Sequence, residues 1–338
     1  MTIEIAGYHL PRPKRRRPAY AVRKETAIHA TLTLMLWLAL WRGTGMWYGY
    51  PSVFDESNVS DSTPMKLVLY AIIPLMLIYV WLEQRPIVAF LASTSKLLMV
   101  VAVFSLASVA VSLDTGASIR GIAAVLVLAT GSLIYRMRYG NVQTFRAVSN
   151  FLIFSAFFNI FYTIVLPQYA IMGGSYAGMI KGAFSHKNGL GQFASFGVVI
   201  LFANRRSGRG VSYRDLVTWA AILCFFALIV ASRSSTSLFM ALVGIIVTVT
   251  LRVVQKIPSK NFRASLVGAL FLLVFLGSAI SYLGVAQAIA DAFDKDLTFS
   301  GRTVIWDQLI PLIYQRPFLG YGFAMFRQPE VMLSFVSA

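Results

Sequence analysis

Residues 182–203 read GAFSHKNGLGQFASFGVVILFA, an apolar run long enough for a membrane span that opens on His186, Lys187 and Asn188. Hydrocarbon rejects all three side chains, so a span topped this way holds its polar end in water or against a cavity. Gly189 and Gly191 let a ligand or a neighbouring helix come close to the backbone. Asn188 suits a helix cap, which would leave helix N–H groups and Lys187 directed at one place, an arrangement that fits an anion such as a phosphate. The plainer alternative is a snorkelling lysine beside an interfacial histidine.

The rest of the chain has the same character. Of its 338 residues 57% are hydrophobic and 13% charged, with a mean hydropathy of +0.70. That composition belongs to a polytopic membrane protein. The net charge of +17 is scattered between apolar runs instead of gathered on one face with interleaved aromatics, which argues against a nucleic-acid partner. Cys224, the single cysteine, lies inside LVTWAAILCFFALIVAS and offers neither a disulfide nor a thiolate metal site. The N-terminal PRPKRRRPAYAVRK is too long and too basic for the n-region of a cleavable signal, so the first span is expected to stay as an anchor.

A helix crosses the hydrocarbon with roughly 20 apolar residues. Runs of that kind predict an all-α fold of about nine transmembrane helices, at 26–41, 66–82, 97–113, 119–135, 148–166, 188–203, 216–232, 237–251 and 264–285. A basic cytoplasmic arm, 1–25, precedes this domain (26–285), and a periplasmic segment, 286–338, follows it. With the N-terminus inside, the inner segments 1–25, 83–96, 136–146, 204–215 and 252–263 carry 20 of the 30 Lys and Arg, whereas 9 of the 13 acidic residues fall outside. The outer face then receives the loop 42–65, the turn 114–120, the segment 167–187, the turn SRSSTS (232–237) and everything from about 286.

Two further outer motifs stand beside the opening triplet. Arg233 lies in the SRSSTS turn, where an arginine between apolar spans costs about 3 kcal/mol or more unless it snorkels or lines a polar cavity. Its guanidinium fork matches phosphate oxygens, and the alternative is an interfacial anchor in a tight hairpin. Arg120, opening the fourth span on the same face, is a weaker case of the same kind. The C-terminal LTFSGRTVIWDQLIPLIYQRPFLGYGF (297–323) spaces Ile305, Leu309, Leu312 and Ile313 as an amphipathic helix, expected to start after Gly301 with Arg302 in its first turn. Pro317, Gly320 and Gly322 then make a turn. Trp306 and Tyr321 either stack on a sugar or sit in the interfacial aromatic belt.

Other chemistries find little support. His9, His29 and His186 are the only histidines, and no outward cluster of them is available to zinc. No P-loop run exists for an ATP-driven motor. Asp291, Asp294, Asp296 and Asp307 include no spacing that separates a glycosidase pair from a solvated loop.

FSHKNGLGQ at the start of a span, a lone arginine in a serine-rich outer turn, and SGRTVIWDQLIPLIYQRPFLGYGF after the last long span together resemble the O-antigen ligase and polymerase superfamily, most of all exopolysaccharide-production polymerases of the succinoglycan type. The similarity covers roughly 180–326. It implies glycosyl transfer without cofactor or metal at the periplasmic face of the bacterial inner membrane, from an undecaprenyl-diphosphate-linked oligosaccharide. The acceptor is another lipid-linked repeat unit in a polymerase, or lipid A core in a ligase. Family members bind the diphosphate with outward arginines, which corresponds to Arg233 and Arg302, with His186, Lys187, Asn188, Arg120, Trp306 and Tyr321 as substrate-binding candidates. Implied partners are membrane lipids and flippase and chain-length or export proteins. In the family a His-containing loop and further spans usually follow the GYGF turn. This sequence ends at Ala338 with no later histidine, so a truncated product, or acceptor activation by another route, is expected. A lipid-linked glycan transporter and a non-catalytic member of an export complex are the rival readings.

Overall fold

The structure, a computed structural model, describes residues 19–46, 63–83, 96–205, 212–259 and 302–323, with parts of 261–272. Among the described residues the chain is helical, with no strand and an isolated bridge between Ile171 and Ile180. The helices are α1 (Ala19–Thr44), α2 (Thr63–Glu83), α3 (Lys96–Ala107, prolonged by the 3₁₀ turn Ser108–Val111), α4 (Thr115–Val165), α5 (Lys187–Ala203), α6 (Tyr213–Ala231), α7 (Ser235–Gln255) and α8 (Arg302–Gln315). Long apolar runs adopt helix because each backbone group is then satisfied within its own segment. Polar side chains close the ends: Asp114 Oδ1 accepts from the Ala117 N–H at 2.9 Å, and Ser212 with Asp215 forms a capping box on α6.

Helix covers eight of the nine expected runs, and the ninth, 264–285, falls largely outside the described residues. α4, α6 and α7 are each long and apolar enough to cross a membrane. Shorter apolar stretches run from Leu67 to Tyr79 and from Met99 to Val111. α1 begins at Ala19, so helix extends into the basic arm expected to end at residue 25.

The expected loop at 136–146 is not a loop. α4 is helical on both sides of Gly140, whose φ of 72° and ψ of 177° lie in a region open essentially to glycine alone. Contacts with α1 show what that residue does. Arg138 pairs with Glu25 at 2.9 Å and Gly131 lies against Met35, so limb 115–139 runs antiparallel to α1. Phe151 packs on Trp37 and Phe158 on Trp41, so limb 141–165 runs parallel to it. The two limbs are therefore antiparallel, and the chain reverses at one glycine where Arg136, Arg138 and Arg146 suggested a hydrophilic connection.

The same reasoning orders the other helices. Phe193 and Gly197 of α5 meet Phe225 of α6, and Phe202 meets Trp219, an antiparallel pair. Gly191 and Val199 of α5 meet Ser237 and Gly244 of α7, and Arg252 donates to Phe202 O at 2.7 Å, a parallel pair. Asn204 Nδ2 donates to Ser149 Oγ at 2.6 Å, which sets α5 antiparallel to limb 141–165. The described parts of the segments expected outside, 114–120, 167–187, 232–237 and the C-terminal turn, thus share one end of the bundle. Those expected inside, 136–146, 204–215 and 252–259, share the other.

Ile28, Leu32, Met35, Ile72 and Tyr135 form one buried cluster among α1, α2 and limb 115–139. Phe151, Leu190, Phe193, Val198 and Phe225 form another among limb 141–165, α5 and α6. Phe104, Phe161, Phe196, Leu223 and Phe239 instead point outward, each more than half exposed. Large apolar groups exposed on successive helices make the surface of a membrane protein.

Candidate functional site

α4 ends at Leu166, and the chain then builds a strap over its end of the bundle. Pro167–Ala170 makes one helical turn, and a hairpin follows in which the Met172 N–H donates to Met179 O at 2.8 Å. The returning chain places the Lys181 and Gly182 N–H groups on Ala170 O, at 2.8 and 3.1 Å. Two bonds fasten the strap to the helices: the Ile180 N–H to Ala231 O at 3.2 Å, and the Ala183 N–H to Asn159 Oδ1 at 3.0 Å.

The strap delivers His186, Lys187 and Asn188 to the start of α5, with a correction to the expected cap. His186, not Asn188, is the N-cap: its Nδ1 accepts the Asn188 N–H at 3.2 Å. Helix begins at Lys187, so Asn188 already lies in the first turn and supplies one of the N–H groups that need a partner. A neutral imidazole accepting at Nδ1 carries its proton on Nε2. The His186 ring stands edge-on to Tyr176 at 5.3 Å, and Lys187 Nζ sits 4.9 Å from the same ring while donating to Met179 Sδ at 2.9 Å. Lys187 is therefore held against the strap by a cation–π contact.

One turn along α5, Gly191 brings the serine-rich turn into the same corner. A Cβ on Gly191 would lie 2.5 Å from Ser237 Oγ and 3.0 Å from Ser234 Cβ, so the close crossing of α5 and α7 requires glycine. Gly189 carries no such demand, since its nearest neighbour, Phe184, would be at an ordinary 3.6 Å. Ser234 and Ser237 hydroxyls bond at 2.8 Å, and Ser195 Oγ lies 2.6 Å from Ser237 O. Arg233 sits between the buried Ser232 and Ser234, is itself exposed, and has φ 48°, the one non-glycine residue with positive φ among the described residues. Its side chain has no carboxylate partner among the described residues.

A second corner gathers the C-terminal motif. After α8, Gly320 and Gly322 (φ 63° and 108°) fold the chain onto residues 111–118. The Leu113 N–H donates to Tyr321 O at 3.2 Å, Ser118 Oγ to Phe323 O at 3.0 Å, and Arg316 Nη1 to Val111 O at 3.2 Å. A Cβ on Gly322 would collide with Ser112, so this glycine is also required by packing. Tyr321 is buried, covered by the Arg316 guanidinium at 4.7 Å, with its hydroxyl 2.8 Å from Gln315 Oε1. Tyr321, read from sequence as either a sugar-stacking or an aromatic-belt residue, is packed within the turn. Beside it lies an open groove of about 580 Å³, bordered by Val111, Ser112, Leu113, Arg316, Phe318 and Leu319. Arg120 is exposed one turn into α4, near Gly116. Arg302 opens α8 and Trp306 follows one turn later, while Gly301 lies outside the described residues.

The triplet, Gly191 and Arg233 thus form one corner, and Arg120, Tyr321, Gly320 and Gly322 belong to the other at the same end. Sequence reading missed Asn159, Ser112, Ser118 and Arg316. Only Asn159 left a signal, as an amide inside the apolar SAFFNIFY. Among the described residues no group of three or more His, Cys, Asp or Glu gathers as a metal site.

Residues 220–336 match the family model described as O-Antigen ligase, a stretch that takes in Arg233, Arg302, Trp306 and Tyr321. The chain is also 28% identical over 157 residues to the exopolysaccharide production protein ExoQ of Rhizobium meliloti (strain 1021), covering 46% of this chain and 35% of that protein. The chain therefore spans about a third of that relative's length in the match. Over these stretches the chain is thus similar to the O-antigen ligase and polymerase superfamily. No solved structure matches the chain.

Proposed function

We propose that the chain is a glycan polymerase of the exopolysaccharide and O-antigen type. It transfers glycan from undecaprenyl-diphosphate-linked repeat units at the periplasmic face of the inner membrane. Nine crossings with the N-terminus in the cytoplasm put the strap, the Arg233 turn and the C-terminal turn on that face. In the transfer, an acceptor hydroxyl bonds to the donor's anomeric carbon as the carbon–oxygen bond to the diphosphate breaks, and the hydroxyl proton passes to the departing diphosphate. Negative charge grows on the departing diphosphate, and a preorganised guanidinium facing it lowers the barrier. Arg233 and Arg302 take that role, while Lys187 and the N-terminal N–H groups of α5 supply further positive potential.

The observation that carries this reading is that the strap leading to Lys187 and the turn holding Arg233 are fastened together, through the Ile180 N–H on Ala231 O and the packing of Gly191 on Ser234 and Ser237, on the end of the bundle where charge distribution puts the outside. The ExoQ relative, named for exopolysaccharide production, favours a polymerase. The O-Antigen ligase family match gives the second reading, transfer to lipid A core. Cells dependent on the 338-residue chain for polymer test the proposal against a transporter. Arg233→Ala is expected to stop chain growth while single repeat units still reach the outer leaflet. Repeat units trapped on the cytoplasmic leaflet would instead identify a flippase.

A further inference from the structure

We infer that Asn159 is a positioning residue, setting where His186 and Lys187 stand relative to Arg233. The inference rests on the reading of that corner as the substrate site. Asn159 is fully buried in limb 141–165 of α4, where a primary amide is costly unless its donors and acceptor are used. Its Nδ2 donates to Ser155 O at 2.9 Å and lies 3.4 Å from Met46 Sδ, and its Oδ1 accepts the buried Ala183 N–H at 3.0 Å. The strap rests directly on this amide: a Cβ on Gly182, whose φ is 57°, would lie 2.5 Å from Oδ1.

His186 follows Ala183 by three residues, and Lys187 by four. On the other side of the strap, Ile180 is bonded to Ala231, two residues before Arg233. Residues 180–183 are thus pinned both to the Arg233 turn and to Asn159, and the start of α5 hangs from the second pin. Both partners of Lys187, Tyr176 and Met179, belong to the same strap. Without the Asn159 acceptor, the Ala183 N–H is left buried and unsatisfied, and lifting of the strap relieves it.

The test combines labelling with kinetics in the 338-residue chain. With Cys224→Ser as background, a cysteine replacing the buried Ala183 reports the strap, and one replacing the exposed Ser235 serves as reference. Maleimide labelling of the detergent-solubilised protein is expected to rise about tenfold at 183 in Asn159→Leu, with no change at 235. Asn159→Asp is expected to restore the slow rate, since its carboxyl keeps an oxygen in place to accept the Ala183 N–H. In lipid-linked glycan transfer, Asn159→Leu is expected to raise KM for the donor about tenfold, and Asn159→Asp to remain within about threefold of the wild type. Unchanged labelling at 183, an equal rise at both positions, or an Asp variant that behaves like Leu overturns the inference. Labelling needs no turnover, so an inactive parent chain would count against the transferase reading and leave the positioning result standing.

Discussion

Arg233 adopts a left-handed backbone in a turn where glycine would be easier, and a non-glycine residue there costs about 1–2 kcal/mol. The turn keeps an arginine despite that cost, which fits a functional role. Arg233→Gly is therefore expected to hold or raise the midpoint of thermal unfolding in detergent, yet to lower glycan transfer by roughly a hundredfold or more. Arg233→Lys, lacking the bidentate fork, should recover only a small part of that loss. The two glycines of HKNGLGQ separate just as cleanly. Gly191→Ala forces α5 off Ser234 and Ser237, with an overpacking cost of about 1–3 kcal/mol. Gly189→Ala should change stability by less than about 0.5 kcal/mol, because its methyl finds ordinary contact distances. Arg233 and the triplet were legible in the sequence because a charge beside an apolar run is conspicuous. That the Arg233 turn packs beside the start of α5 was not, since it depends on which helix face Gly191 turns toward α7. The cap was misread for a related reason: a single residue separates His186 from Asn188, and only the position of one N–H decides between them.

Apolar runs announced the helices well, because a segment that offers no polar partner must satisfy its own backbone. What they concealed was the connection at 136–146, where arginines and a glycine look like a loop while helix continues on both sides of a one-residue reversal. Gly140→Ala isolates that reversal. A Cβ there meets nothing within 4 Å, so the expected destabilisation of about 1–3 kcal/mol is purely a backbone effect, measurable as a lower thermal midpoint. The C-terminal turn teaches a complementary lesson. Its glycines and its helix were legible, but its cradle, Ser112 and Ser118, lies about 200 residues away in sequence. Ser118→Ala should cost about 1 kcal/mol through the lost bond to Phe323 O, and chymotrypsin cleavage after the exposed Phe318 should become faster in consequence.

Lys and Arg asymmetry divided the connecting segments into two sets, and helix directions in the structure gather the described members of each set at a common end. Which end faces the periplasm is part of the proposal. In intact cells, an impermeant maleimide is expected to label a cysteine at Ser235 and to leave one at the exposed Asn150 untouched. The chemistry assigned to the outer end is tested most directly in vesicles holding the purified 338-residue chain and lipid-linked repeat units. Product length would be followed for the wild type and Arg233→Ala. Extended glycan from the wild type, and none above background from the variant at equal protein level, is the expected result. Equal product from both, or no product from the wild type, would contradict glycosyl transfer at the Arg233 corner.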